Sequence, residues 1–149
     1  MRIVGQTTTS GVYTPSSTTS GRATATVLAG AEKASITVDG LEHVEISAMD
    51  DYILQSPNSD DVLTIDSPAG NQIRVSGASG GVSFGDLTFF NIANFTLDGG
   101  PGTDRLVAMG GVSYTLTNAR LLSSVGGPIA LTSIEEASLS GGEIGRAHV

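Results

Sequence analysis

The stretch Leu87-Thr88-Phe89-Phe90-Asn91-Ile92-Ala93-Asn94-Phe95-Thr96-Leu97-Asp98-Gly99 decides how the rest of the chain reads. Its apolar residues Leu87, Phe89, Ile92, Phe95 and Leu97 stand at positions 1, 3, 6, 9 and 11. On a helix that spacing scatters around the whole wheel and leaves no apolar face. As two short strands it works: each sends alternate side chains inward, and a bend between them absorbs the extra residues. Two other stretches share the pattern. Residues 36–48 carry Ile36, Val38, Leu41, Val44 and Ile46, and residues 129–141 carry Ile129, Leu131, Ile134, Ala137 and Leu139. Every one of these positions is apolar in a chain that is only 39% apolar. Gly40, Asn91 and Ser133 fall at the bends, and all three residue types suit turns.

Working outward, the units start 51 and then 42 residues apart. Further strand-like runs lie between them: Tyr52-Ile53-Leu54, Val62-Leu63-Thr64-Ile65, Ile73-Arg74-Val75, Leu106-Val107-Ala108 and Val112-Ser113-Tyr114-Thr115-Leu116. Glycine-rich punctuation separates them at residues 77–81, 110–111 and 126–127. A repeat of short strands with glycine corners predicts an all-β chain, a parallel β-helix or β-solenoid whose coils share one core over residues 23–143. A β-sandwich is the alternative, because many short strands with turn signals fit it too.

The two ends read differently. Residues 7–26 hold 12 Ser or Thr in 20 positions. Such a tract has little to bury and competes with its own backbone for hydrogen bonds, so residues 1–22 are expected to be a flexible linker. The last six residues, Ile144-Gly145-Arg146-Ala147-His148-Val149, match a translated string that resembles a common sequencing adapter. They are expected to be a non-native scar on a longer parent chain.

Composition narrows the function. The 149 residues carry 15 acidic and 7 basic side chains, a formal charge of −8. Nucleic acid is a poor partner for such a surface, since neutralising phosphates needs Lys and Arg. Charged residues are 15% of the chain, below the usual quarter or so, while Gly, at 20 residues, is well above its ordinary share. With no Cys there is no disulfide, no Cys-ligated zinc and no thiol catalysis. No apolar run reaches membrane-spanning length, and the start MRIVGQTTTS has no apolar signal-peptide core.

One motif carries metal chemistry. Gly99-Gly100-Pro101-Gly102-Thr103-Asp104-Arg105-Leu106-Val107 is a complete match to the calcium nonapeptide G-G-x-G-x-D-x-U-x. Its glycines allow a tight turn, and Asp104 supplies the hard anionic oxygen that Ca²⁺ prefers. Ser133-Ile134-Glu135-Glu136-Ala137-Ser138-Leu139-Ser140-Gly141-Gly142 is a second recognisable segment. On these two stretches, residues 36–143 resemble the haemolysin-type calcium-binding (RTX-like) repeats of large secreted bacterial surface proteins. The resemblance implies a calcium-binding, non-catalytic structural or adhesin-like module, secreted or at the cell surface, in contact with surface or matrix components. It implies Asp98, Gly99, Gly100, Gly102 and Asp104 as the Ca²⁺ site. Only this nonapeptide is complete, whereas the family closes each site with two neighbouring turns. Gly141-Gly142-Glu143 looks like the start of another, and Pro57-Asn58-Ser59-Asp60-Asp61 stands one repeat upstream without glycines, with Asp61 43 residues before Asp104. Asp50, Asp51, Asp60 and Asp61 are expected to be exposed acidic turn residues that keep the chain soluble.

Catalytic patterns are missing. Ser83 does not sit in G-x-S-x-G, and Glu135 and Glu136 are adjacent, so on a strand they point to opposite faces. His43 is expected at the surface. Part of a polysaccharide-degrading β-helix enzyme is the alternative function; it needs acidic and basic side chains converging in one groove, and no acidic cluster recurs at the repeat spacing.

Overall fold

The computed structural model describes residues 2–4, 9–15, 21–29, 32–41, 43–140 and 144–146. The described residues form no helix. Their strands are Arg2–Val4 (β1), Thr9–Pro15 (β2), Gly21–Ala29 (β3), Glu32–Leu41 (β4), His43–Gln55 (β5), Asp61–Asp66 (β6) and Ile73–Ser79 (β7). Then follow Val82–Asp98 (β8), Arg105–Met109 (β9), Tyr114–Leu116 (β10), Arg120–Ser123 (β11), Pro128–Thr132 (β12), Glu136–Ser140 (β13) and Ile144–Arg146 (β14). All join one nearly closed, barrel-like mixed sheet, so the all-β class holds.

The sheet is mixed where a β-helix would be parallel throughout. The parallel ladders are β1 and β2 on β5, β5 on β8 and β8 on β12, with β6 on β9 and β9 on β13 beside them and β14 on β10. Antiparallel hairpins interleave: β6 with β7, β7 with β8, β10 with β11 and β11 with β12. Their connections are too short for a parallel crossover, so these neighbours must run in opposite directions.

The apolar pattern is real, but its first register differs from the one read in the sequence. Leu87, Phe89, Ile92, Phe95 and Leu97 lie beside Val44, Ile46, Met49, Tyr52 and Leu54. The first unit therefore starts at Val44, eight residues beyond Ile36, with the same spacing. All five of its apolar residues are buried, as are Leu87, Phe89, Phe95 and Leu97. The bend falls on Ala48, at φ 57°, beside Asn91 at φ 53°. Alanine is not a turn residue and rarely adopts positive φ, so nothing in its chemistry marks the bend. The third stretch is also displaced. Ile129 and Leu131 lie against Phe95 and Leu97, and Ala137 and Leu139 against Leu106 and Ala108. It thus crosses the turn between two ladders, with Ser133 at φ 52° in that turn. The rings of Phe89 and Phe95 stack at the centre, with centroids 3.7 Å apart and planes 11° from parallel.

Residues 1–22, expected to be a flexible linker, contain strands where they are described. Arg2–Val4 and Thr9–Pro15 are strands paired to β5, and β2 continues into the β3–β4 meander. Strand pairing needs only backbone groups, Thr favours extended structure, and Tyr13 supplies an anchor. Its side chain is fully buried, and its hydroxyl donates to the Gly85 carbonyl at 3.0 Å. At the other end, Ile144–Arg146 pairs with β10, while residues 141–143 and 147–149 lie outside the described residues.

Tyr13, Tyr52 and Tyr114 are all the tyrosines of the chain, and all three are buried. Burial pushes each phenol above its ordinary 10.0, Tyr13 to about 12. The folded state therefore holds these protons at pH values where the unfolded chain has released them. Stability is unaffected by these groups below about pH 10 and falls as the pH climbs from there through about 12. In a spectrophotometric titration, phenolate absorbance should stay near zero at pH 10 to 11 and then rise together with loss of the β-sheet circular dichroism. A separate, reversible phenolate step near pH 10 would contradict the packing of all three.

Candidate functional site

Because β5, β8 and β12 lie side by side, and β6, β9 and β13 likewise, the turns that link them are stacked. The first runs over residues 56–60, the second over 99–104 and the third over 133–135. Backbone bonds tie them together: Ser56 N donates to Asp98 O at 2.9 Å, and Gly99 N to Thr132 O at 3.0 Å. The Ser56 hydroxyl donates to Gly99 O at 2.6 Å.

Carboxylates complete the connections. Asp104 Oδ1 accepts from Asp61 N at 2.9 Å, and Asp60 Oδ1 accepts from Thr103 N at 2.9 Å. Glu135 Oε2 accepts from Asp104 N at 2.7 Å, while Glu135 N and Glu136 N donate back to Asp104 O. Each bond crosses from one turn, or the strand residue that directly follows it, to the neighbouring turn, so the acidic side chains satisfy amides that would otherwise be left unpaired there. Charge-assisted bonds of this kind are roughly twice as strong as neutral ones.

Asp104 and Asp61 are buried, at 0% and 1% exposure. The Oδ2 atom of each has no hydrogen-bond partner. Burial raises the Asp104 carboxyl above the usual carboxylate range, the bond from Asp61 N opposes this, and repulsion from Asp61, Glu135 and Asp60 adds to it. Gly99 closes the space beside Asp104. A Cβ there would stand 2.6 Å from Asp104 Oδ2 and 2.8 Å from Asp104 Cβ, and would collide with the Ser133 carbonyl oxygen. Gly102, at φ 150°, lies so close to Ser59 that only glycine fits.

The five residues of the expected calcium site divide in this setting. Asp98 is half-buried and turns its Oδ1 onto Gly100 N at 3.1 Å, a local turn bond. Gly99 and Gly102 let adjacent turns approach. Asp104 points inward, toward Asp61 rather than Asp98. Asp61 was expected at the surface and is buried, whereas Asp60 and Asp51 are exposed and Asp50 is half-buried. The 43-residue interval between Asp61 and Asp104, equal to the β5–β8 register, is the signal that marked the pair. Glu135 lies in the second recognisable segment, but no spacing tied it to Asp104, because the third turn follows at a shorter interval. His43 is exposed, as expected, and Ser83 is exposed too.

Among the described residues no three His, Asp or Glu side chains form a ready-made metal cluster. Nor is any helix among them long and apolar enough to cross a membrane. Comparison with protein-family models, curated proteins and solved structures finds no match to this chain.

Proposed function

We propose that the chain is a non-catalytic structural module of an extracellular repeat protein, a solenoid-like stack that serves as a stalk or surface-contact region. The repeated register carries this reading. Ile3 pairs with Ile46 and Ile46 with Phe89, each one 43-residue step along the chain, and the turns over the same layers are hydrogen-bonded to one another. A layer that repeats its own spacing can lengthen without changing its core, which suits an extended module. The calcium role that accompanies this reading rests on Asp104 and the oxygens around it.

Duplicating residues 44–86 tests the reading, because Val44 and Leu87 are partners and the inserted layer meets matching neighbours on both sides. The longer protein should stay folded, keep its β-sheet circular dichroism per residue and show a larger denaturant dependence of unfolding, since more surface becomes buried. An insert that is protease-sensitive while the rest stays folded would sink the stacking.

A further inference from the structure

We propose that the free edge of β13 is a docking site for an extended segment of a partner, which adds to it as a parallel strand. The segment reads basic, apolar, any residue, apolar. The inference rests on the layered reading above and names a partner for its last layer. β13 pairs with β9 and, among the described residues, with no other strand. Two columns of inward side chains end on it uncovered. Leu63 and Leu106 are buried in one column, and Ile65 and Ala108 in the other. Ala137, next after Leu106, is exposed, and Leu139, next after Ala108, is only half-buried. Sheet edges are commonly blunted by proline, lysine or a bulge, and Glu136–Ser140 has none of the three. At the start of the strand lies a groove of about 420 Å³, lined by Leu116, Leu131, Ile134 and Ala137 and by the exposed Glu135 and Glu136.

The occupied side of β13 shows which chemistry fits the free one. There β9 lays Arg105 beside Glu136, Leu106 beside Ala137 and Ala108 beside Leu139. A second strand of that pattern gives Glu136 a cation on its other side and covers both open columns, whereas an acidic segment meets Glu135 and Glu136 as like charges. β9 itself is held between β6 and β13, so a folded second copy has no free β9 to offer. Parallel addition continues the direction that β6, β9 and β13 share. The backbone is ready for it. Glu136 N donates to Asp104 O on the β9 side, so by the alternation of a strand the amides of Ala137 and Leu139 face the free edge. In such strand addition main-chain bonds supply affinity and the side-chain columns supply selectivity.

The probe is an end-blocked, fluorescent peptide with the sequence of residues 105–111, RLVAMGG, titrated with the full chain and followed by anisotropy. Saturable one-to-one binding is expected. Replacing the peptide's arginine by glutamate should weaken it about three- to tenfold, and Glu136→Lys in the protein should restore the affinity for that peptide. Ala137→Pro removes an amide from the free edge without touching the β9 bonds. It should weaken binding at least about tenfold while the β-sheet circular dichroism stays unchanged. No binding of the RLVAMGG peptide, equal affinity for its reversed sequence or for the glutamate peptide, or unaltered binding by a folded Ala137→Pro protein would overturn the proposal. So would self-association of the chain that Ala137→Pro abolishes, since a second copy would then be the occupant. If Ala137→Pro does not fold, the charge exchange at Glu136 decides. Duplicating residues 44–86 leaves β13 untouched, so a duplicated protein that folds while the wild type binds no peptide sinks this proposal alone.

Discussion

Phe95→Ala should lower the unfolding free energy by about 3–5 kcal/mol, the usual cost of emptying a large aromatic site in a core. Phe95 is 2% exposed and its ring stacks on Phe89 at 3.7 Å. It also stands between two other layers, with Tyr52 beside it on β5 and Ile129 beside it on β12. The cavity therefore opens where three parallel strands share one row, and the backbone cannot collapse into it without breaking ladder bonds on both sides. Domains of this size hold only about 5–15 kcal/mol in total, so the variant should be close to unfolding at ordinary temperature. Urea unfolding measures the loss. Phe90→Ala is the control: Phe90 is half-buried on the opposite side of the same strand and should cost about 1 kcal/mol. Equal losses at the two positions would mean that the inward row is wrongly assigned.

Gly99→Ala should cost about 2–3 kcal/mol, at the upper range for overpacking. The added methyl meets backbone on one side, at the Ser133 carbonyl, and a buried carboxylate on the other, 2.6 Å from Oδ2 of Asp104. Neither can swing aside, because Asp104 is held through Asp61 N and its own amide is bound to Glu135. The loss should therefore spread through the turn stack, and amide exchange at Asp61 and Asp104 should accelerate together. Gly111→Ala is the control, since nothing lies within 4 Å of a Cβ there. It should change stability by less than about 0.5 kcal/mol. A Gly99→Ala protein as stable as wild type would show that the turns do not pack as closely as Gly99 requires.

Much of the candidate site was legible, and the part that was not has a physical explanation. The Gly99–Val107 motif pointed to Asp104, and the 43-residue interval pointed to Asp61. What composition could not show is that Asp61 is buried. An aspartate after Pro57, Asn58 and Ser59 looks like a solvated turn residue until another turn is laid on top of it. The link from Glu135 to Asp104 escaped notice for a related reason: its carboxylate reaches Asp104 N through space, across a 31-residue separation that matches no repeat. The N-terminal tract reads as a linker because its Ser and Thr residues say how little it buries alone. They do not say that β5 presents an edge on which Tyr13 can bury a whole ring.

From sequence alone came the class of structure and its grammar: alternating apolar rows, a bend within each row, glycine-rich turns, and an acidic chain without cysteine. Those properties are local, since the direction of a side chain along a strand follows from the pleat. The register belonged to the tertiary structure. Rows started at Ile36 and at Val44 show the same apolar spacing, so the pattern alone makes them equally good starting points for the first row. Only the packing of Tyr52 and Leu54 beside Phe95 and Leu97, with Ala48 accepting the bend, selects between them. That choice also determines which turns lie together, and so which carboxylates meet.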